Sequence, residues 1–127
     1  MRTSLCIAVA LLAATILAGT MTENAMRRVS DRYVSAAEEL RSLTQQGQWE
    51  RAAEVVETYL TDWRGQVSML QMLINHEDTD AVTLSLLLLR AAIEAQDVPG
   101  CLAACAQMRE NAQHLHHRDA FTLANVL

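Results

Sequence analysis

Residues 3–22 read TSLCIAVALLAATILAGTMT, a run without one charged side chain in a protein of 127 residues. Wound as a helix at about 1.5 Å per residue, the run would be about 30 Å long, the thickness of a bilayer's hydrocarbon core. A secretory signal also starts with a basic residue and an apolar stretch, but that stretch is usually about 7 to 15 residues and ends at a small-x-small cleavage site. Here the nearest such site, Ala18-Gly19-Thr20, ends in Thr. A lipid attachment site is excluded, because Leu17-Ala18-Gly19 is followed by Thr20 and not by Cys. The reading is a membrane anchor, or uncleaved signal, over residues 1–22, and one domain over residues 23–127.

The domain has room for a single modest core. The chain is 51% hydrophobic but only 4% aromatic, with one Pro and four Gly. That composition favours helix packed on helix over sheet. Met26, Val29, Tyr33, Ala36, Leu40 and Leu43 recur at alternating steps of three and four, so an amphipathic helix would continue the membrane helix to a stop at Gly47. Trp49, Ala52, Val56, Tyr59 and Trp63 repeat the pattern and put both indoles on one face. Gly65 is read as a break, followed by a short third helix through Val67, Leu70, Leu73 and Ile74 that ends near His76.

Asp78 is expected to cap the next helix, with Asp80 in its first turn. That helix carries Val82, Leu84 and Leu86 to Leu89, apolar nearly all round, and is expected at the centre of the bundle. Arg90 cuts it short of membrane-spanning length. Asp97 is expected to cap a further helix, with Pro99 tolerated in the first turn and Leu102, Cys105, Met108, Ala112 and Leu115 as its stripe. A last turn from Asp119 to Leu127 holds Phe121 and Val126. The fold class is therefore all-α: an N-terminal transmembrane helix running into a small antiparallel helical bundle.

Net charge is −5, and every basic residue is Arg. Beyond Arg2 there are nine Arg against 15 acids, and no basic run is longer than Arg27-Arg28. Nucleic acid is thus an improbable partner, while lipid through residues 3–22 is expected. Arg27, Arg28 and Arg32, just past the anchor, would by the positive-inside rule hold the domain in the cytoplasm.

No nucleophile stands beside a base, and no Gly-rich phosphate loop or carboxylate pair in a cleft is legible. The expectation is a protein without enzymatic activity, catalytic residues or cofactor. Glu38-Glu39, and Glu54 with Glu57, read as solvated charge. Cys101 and Cys105, four apart on one helix, read as small buried apolar residues; a disulfide between them would strain the helix. The weak metal candidates are His76, Asp78, Asp80, His114 and His117, whose nitrogen and oxygen ligands suit zinc. Of the 114, 116 and 117 histidines only 114 and 117 share a helix face, and histidines near a helix C-terminus are stabilised there without metal. A metal- or pH-sensing domain built on these groups is the alternative to a binding module.

Trp49 with Ala53, then Trp63, Ile74-Asn75-His76, the acids Asp78 and Asp80, Val82, Ser85-Leu86 and the closing Leu123-Ala124-Asn125-Val126-Leu127 form a pattern that resembles domain-of-unknown-function family 4363, small bacterial proteins with a membrane helix and a helical remainder. Thr79, where an apolar residue is usual, and the histidines after Leu115 depart from it. The resemblance implies an extracytoplasmic domain and an accessory role beside a multi-span membrane protein. It brings no catalytic residues, and association with further copies of itself stays open.

Overall fold

The computed structural model describes the backbone of residues 1–124 and the side chains of residues 1–116. Four helices follow one another, α1 (Arg2–Gln45), α2 (Trp49–Leu70), α3 (His76–Glu94) and α4 (Val98–Ala124). The fold is all-α. α1 packs against α2 and α4, and α3 against the same two, so the domain is a four-cornered bundle joined by short turns.

The apolar run and the first bundle helix are one helix, as the unbroken periodicity requires. Met26, Tyr33, Ala36, Ala37 and Leu40 are buried along it. At its end Gly47 takes φ +70, Gln48 N–H donates to Leu43 O at 2.9 Å and Gly47 N–H to Thr44 O at 3.2 Å. This pair of bonds is the Schellman ending that a glycine there favours.

The α3–α4 turn repeats the ending without a glycine. Asp97 N–H donates to Ala92 O and Gln96 N–H to Ile93 O, both at 3.0 Å, with Gln96 at φ 51. A side chain in the left-handed region costs about 1–2 kcal/mol. Gln96→Gly is therefore expected to raise domain stability by up to about 1 kcal/mol, measured as a shift in chemical-denaturation midpoint at unchanged slope. Asp97 caps α4 as expected, its Oδ1 accepting from Gly100 N–H at 3.1 Å.

Three expectations are corrected. Gly65 does not break the chain: α2 runs on to Leu70, and no short third helix forms. Gly65 lies on the solvent face, and a helical glycine costs only about 1 kcal/mol relative to Ala, less than the burial of Trp63 and Leu70 on either side returns. The cap of α3 is Asn75, not Asp78; its side chain accepts from Glu77 N–H at 3.2 Å, which puts Glu77 and Asp78, but not Asp80, in the first turn. Finally, α3 is not the centre. In a four-cornered bundle each helix has two neighbours and so one outer face, and on α3 that face carries Leu84, 53% exposed, and Leu88, 45% exposed.

The core lies between the four stripes, with Trp63 at its largest point. Its ring meets Tyr33 edge to face at a centroid distance of 5.0 Å, and its Nε1–H donates to Thr83 Oγ1 at 2.7 Å. Polar core groups are tied to α3: Asn111 Nδ2 donates to Ser85 Oγ at 2.7 Å and to Ala81 O at 3.1 Å. Thr79, which departs from the apolar pattern, is buried and satisfied, donating to His76 O at 2.8 Å and accepting from Gln71 Nε2 at 3.1 Å. The side chains of Phe121, Val126 and the closing Leu123 to Leu127 lie outside the described residues.

Candidate membrane interface

The N-terminal part of α1 stands clear of the bundle. Leu5, Leu11 and Leu17 are 64–67% exposed, and Ile7, Val9, Leu12 and Ile16 are similarly bare. This stretch is long and apolar enough to cross a membrane, and the apolar window has no residue buried inside the protein. Covering a side chain of this kind is favourable by about 1.5–3 kcal/mol, so leaving the whole set in water forgoes on the order of 10–20 kcal/mol. That matches or exceeds the about 5–15 kcal/mol that holds a typical domain together. Burial against α2 to α4 begins only at the end of the run, and Met26 is the first fully buried side chain.

Charged groups gather on the bundle and not on the run. Arg32 pairs with Asp62 and stands over the Tyr59 ring at 5.7 Å, Tyr59 Oη donates to Glu39 Oε2 at 2.9 Å, and Gln66 Nε2 donates to Tyr33 Oη at 3.0 Å. Burial raises the pKa of both phenols, and for Tyr59 the bond to Glu39 raises it further. The acids read as solvated are in part paired across helices: Glu38 with Arg109 at 3.0 Å and Glu57 with Arg90 at 3.4 Å. All four partners are substantially exposed, so such pairs adjust register more than stability. Within helices, Arg51 meets Glu54 at 3.4 Å and Arg90 reaches Glu94 at 4.0 Å, the spacings the sequence offers.

A cleft of about 230 Å³ between α1 and α4 is lined by Ala37, Glu38, Arg41, Leu102, Cys105, Ala106 and Arg109. Its thiol is held in the protonated form. Cys105 is buried and unpaired, and burial first, then Cys101, pushes its pKa up to about 12. Cys101 is raised by burial and then by Asp97. Both stay protonated at neutral pH, where a reactive cysteine would be a thiolate.

The consequence is an alkaline limit. Below about pH 9 folded and unfolded chains hold the thiol protons alike; above it the unfolded chain releases them while the fold retains them. Stability is expected to fall above that pH, for Cys105 by up to about 1.4 kcal/mol per pH unit as far as about pH 12, with Cys101 acting in the same direction. Denaturation at stepped pH checks this, and Cys105→Ala should remove one thiol's share of the slope.

The metal candidates are scattered. His76 opens α3, Asp78 lies in its first turn, Asp80 accepts a long 3.5 Å bond from Gln71, and His114 pairs with Glu110 at 3.2 Å on α4. Among the described residues no three His, Cys, Asp or Glu side chains stand close enough to share an ion. The His117 side chain lies outside the described residues.

What the sequence reading missed was the surface that α3 and the α2–α3 turn leave open. Met69 in the last turn of α2, and Met72 and Leu73 in the turn that follows, are exposed, together with Leu84 and Leu88 on α3. A helical-wheel count limited to two neighbours per helix could have found Leu84 and Leu88. The turn residues carried no such signal, having been assigned to a helix.

No curated protein and no solved structure matches the chain. The profile of DUF4363, a domain of unknown function, matches residues 20–126, starting in the last turn of the apolar run and taking in the bundle. With that much of its length inside the match, this chain belongs to the DUF4363 family.

Proposed function

We propose that this protein is a single-pass membrane protein whose bundle, on the extracytoplasmic side, binds or braces a multi-span membrane protein and catalyses nothing itself. The carrying observation is the apolar helix that leaves the bundle with no residue buried, since only lipid or another membrane helix would cover it on all sides. α1 runs from the apolar stretch into the bundle as one uninterrupted helix, so the domain is held close to the membrane, and a tethered module needs only weak contacts. Leu84 and Leu88, one turn apart on the outer face of α3, supply an apolar stripe for such a contact.

The side of the membrane follows the family resemblance. Arg27, Arg28 and Arg32 pull the other way under the positive-inside rule, with Arg2 and the amino terminus as the opposing charge. Two measurements test the reading. The full-length chain should stay in the pellet after alkaline carbonate washing, and protease added to intact cells should remove the bundle. A photo-crosslinker at Leu88 should then capture a membrane protein from detergent extracts. Release of the unprocessed chain by carbonate, or a bundle protected in intact cells, would overturn the anchor or its orientation respectively; repeated failure to capture a membrane partner would overturn the bracing role.

A further inference from the structure

The end of the bundle nearest the apolar helix has a second apolar feature, the α2–α3 turn. Leu70 closes the core there, while Met69 and Leu73 are exposed and Met72 is 81% exposed. From Gly65 to Asn75 the chain carries no charge.

The height of this turn follows from the register of α1 and α2, which the 5.0 Å ring contact of Tyr33 with Trp63 fixes. Leu70 lies about two turns beyond Trp63 and Met26 about two turns before Tyr33, each a descent of about 10 Å in antiparallel helices. Leu70 and Met26 are thus level, and both are buried. The turn at 71–75 projects past them, to the height at which α1 passes into its apolar run. Exposed Arg27 and Arg28 sit just above; Arg27 reaches Glu23 at 3.5 Å, one turn nearer the run, which leaves Arg28 as the cation offered to an anionic headgroup at that height. Glu77 and Asp78 begin α3 on the bundle side of the turn.

We infer that the α2–α3 turn is a second membrane contact, with Met69, Met72 and Leu73 seated in the interfacial layer of the bilayer that holds α1. The inference rests on the anchor reading and goes beyond it. Its occupant is lipid, because the turn meets the plane that the exit of α1 defines, and long apolar side chains in an uncharged stretch suit the boundary between headgroup and acyl chain. Two contacts, one through the bilayer and one on it, fix the tilt of the bundle as a single helix cannot.

The test places one nitroxide label at a time in the full-length chain, in a Cys6→Ser background where the remaining thiols, Cys101 and Cys105, are buried. Leu17→Cys, Met72→Cys and Leu84→Cys are reconstituted in vesicles of three parts phosphatidylcholine to one part phosphatidylglycerol. Collision with oxygen, which concentrates in lipid, is compared with collision with a water-soluble nickel chelate. The expected result is an oxygen-dominated signal at 17 and 72 and a nickel-dominated signal at 84. Nickel dominance at 72 with oxygen dominance at 17 overturns the turn contact and leaves the anchor standing. Nickel dominance at 17 overturns the anchor and this inference together. Low access of both reagents at 72 means that protein covers the turn, either residues 117–127 or a second copy, and oxygen dominance at 84 means that the bundle lies flat; each overturns the contact as stated.

Discussion

Replacing Leu12 and Ile16 together by Arg is expected to move the full-length chain from the carbonate-resistant membrane pellet to the supernatant. Each change exchanges a side chain favourable at the bilayer centre, by about 0.3–0.6 kcal/mol, for one unfavourable by about 2.5–3.5 kcal/mol. The pair therefore shifts insertion by about 6–8 kcal/mol, or four to six powers of ten. Both positions lie near the middle of residues 3–22, too deep for their guanidinium groups to reach either interface without distorting the bilayer. The bundle touches neither side chain, so helical content and the fluorescence of buried Trp63 should be those of the parent. A variant that stays in the pellet as firmly as the parent would show that something other than lipid burial holds the protein there.

Trp63→Ala acts on the other half of the molecule. Trp63 is fully buried against Tyr33, and its indole N–H is committed to Thr83. Truncation leaves a cavity and removes an edge-to-face ring contact, a loss of about 3–5 kcal/mol. Against a total of about 5–15 kcal/mol, the bundle should be partly unfolded at ordinary temperature. Trp63→Phe should cost less than half as much: a ring remains, and Thr83, which donates to Thr79 O at 3.0 Å, keeps a partner. Trp49, partly buried at the edge of the core at the start of α2, is the internal comparison, and Trp49→Ala should cost less, about 1–2 kcal/mol. Thermal unfolding followed by circular dichroism in detergent ranks the three, and equal losses at 49 and 63 would refute the placement of the core.

Much of the bundle was legible along the chain because helix stripes are local arithmetic. Tyr33, Ala36 and Leu40, Val56 and Trp63, and Met108, Ala112 and Leu115 are all buried where the period of 3.6 residues places them. The endings were legible where one residue type controls them, as at Gly47 and Asp97. Gly65 misled because a single glycine is a weak local cost that two buried neighbours outweigh, and Asp78 misled because Asn75, an equally good cap in the same polar cluster, stands ahead of it. Leu84 and Leu88 were legible only to a count of neighbours around each helix, not to periodicity. Val82, Leu84 and Leu86 to Leu89 lie all round the helix and leave no period from which to tell the inner face from the outer one.

The sequence by itself determined that this protein is helical, that its first residues suit lipid, and that the membrane-directed and bundle-forming parts share one helix. Those properties depend on composition and on neighbours within a few residues. Tertiary structure alone decided how α1 to α4 stand around one core, and hence that the outer face of α3 and the turn before it remain bare. Exposure is a property of what packs opposite, contributed by residues 30 to 70 positions away, as the Gln66 to Tyr33 and Arg109 to Glu38 contacts illustrate. No periodicity within one helix records it.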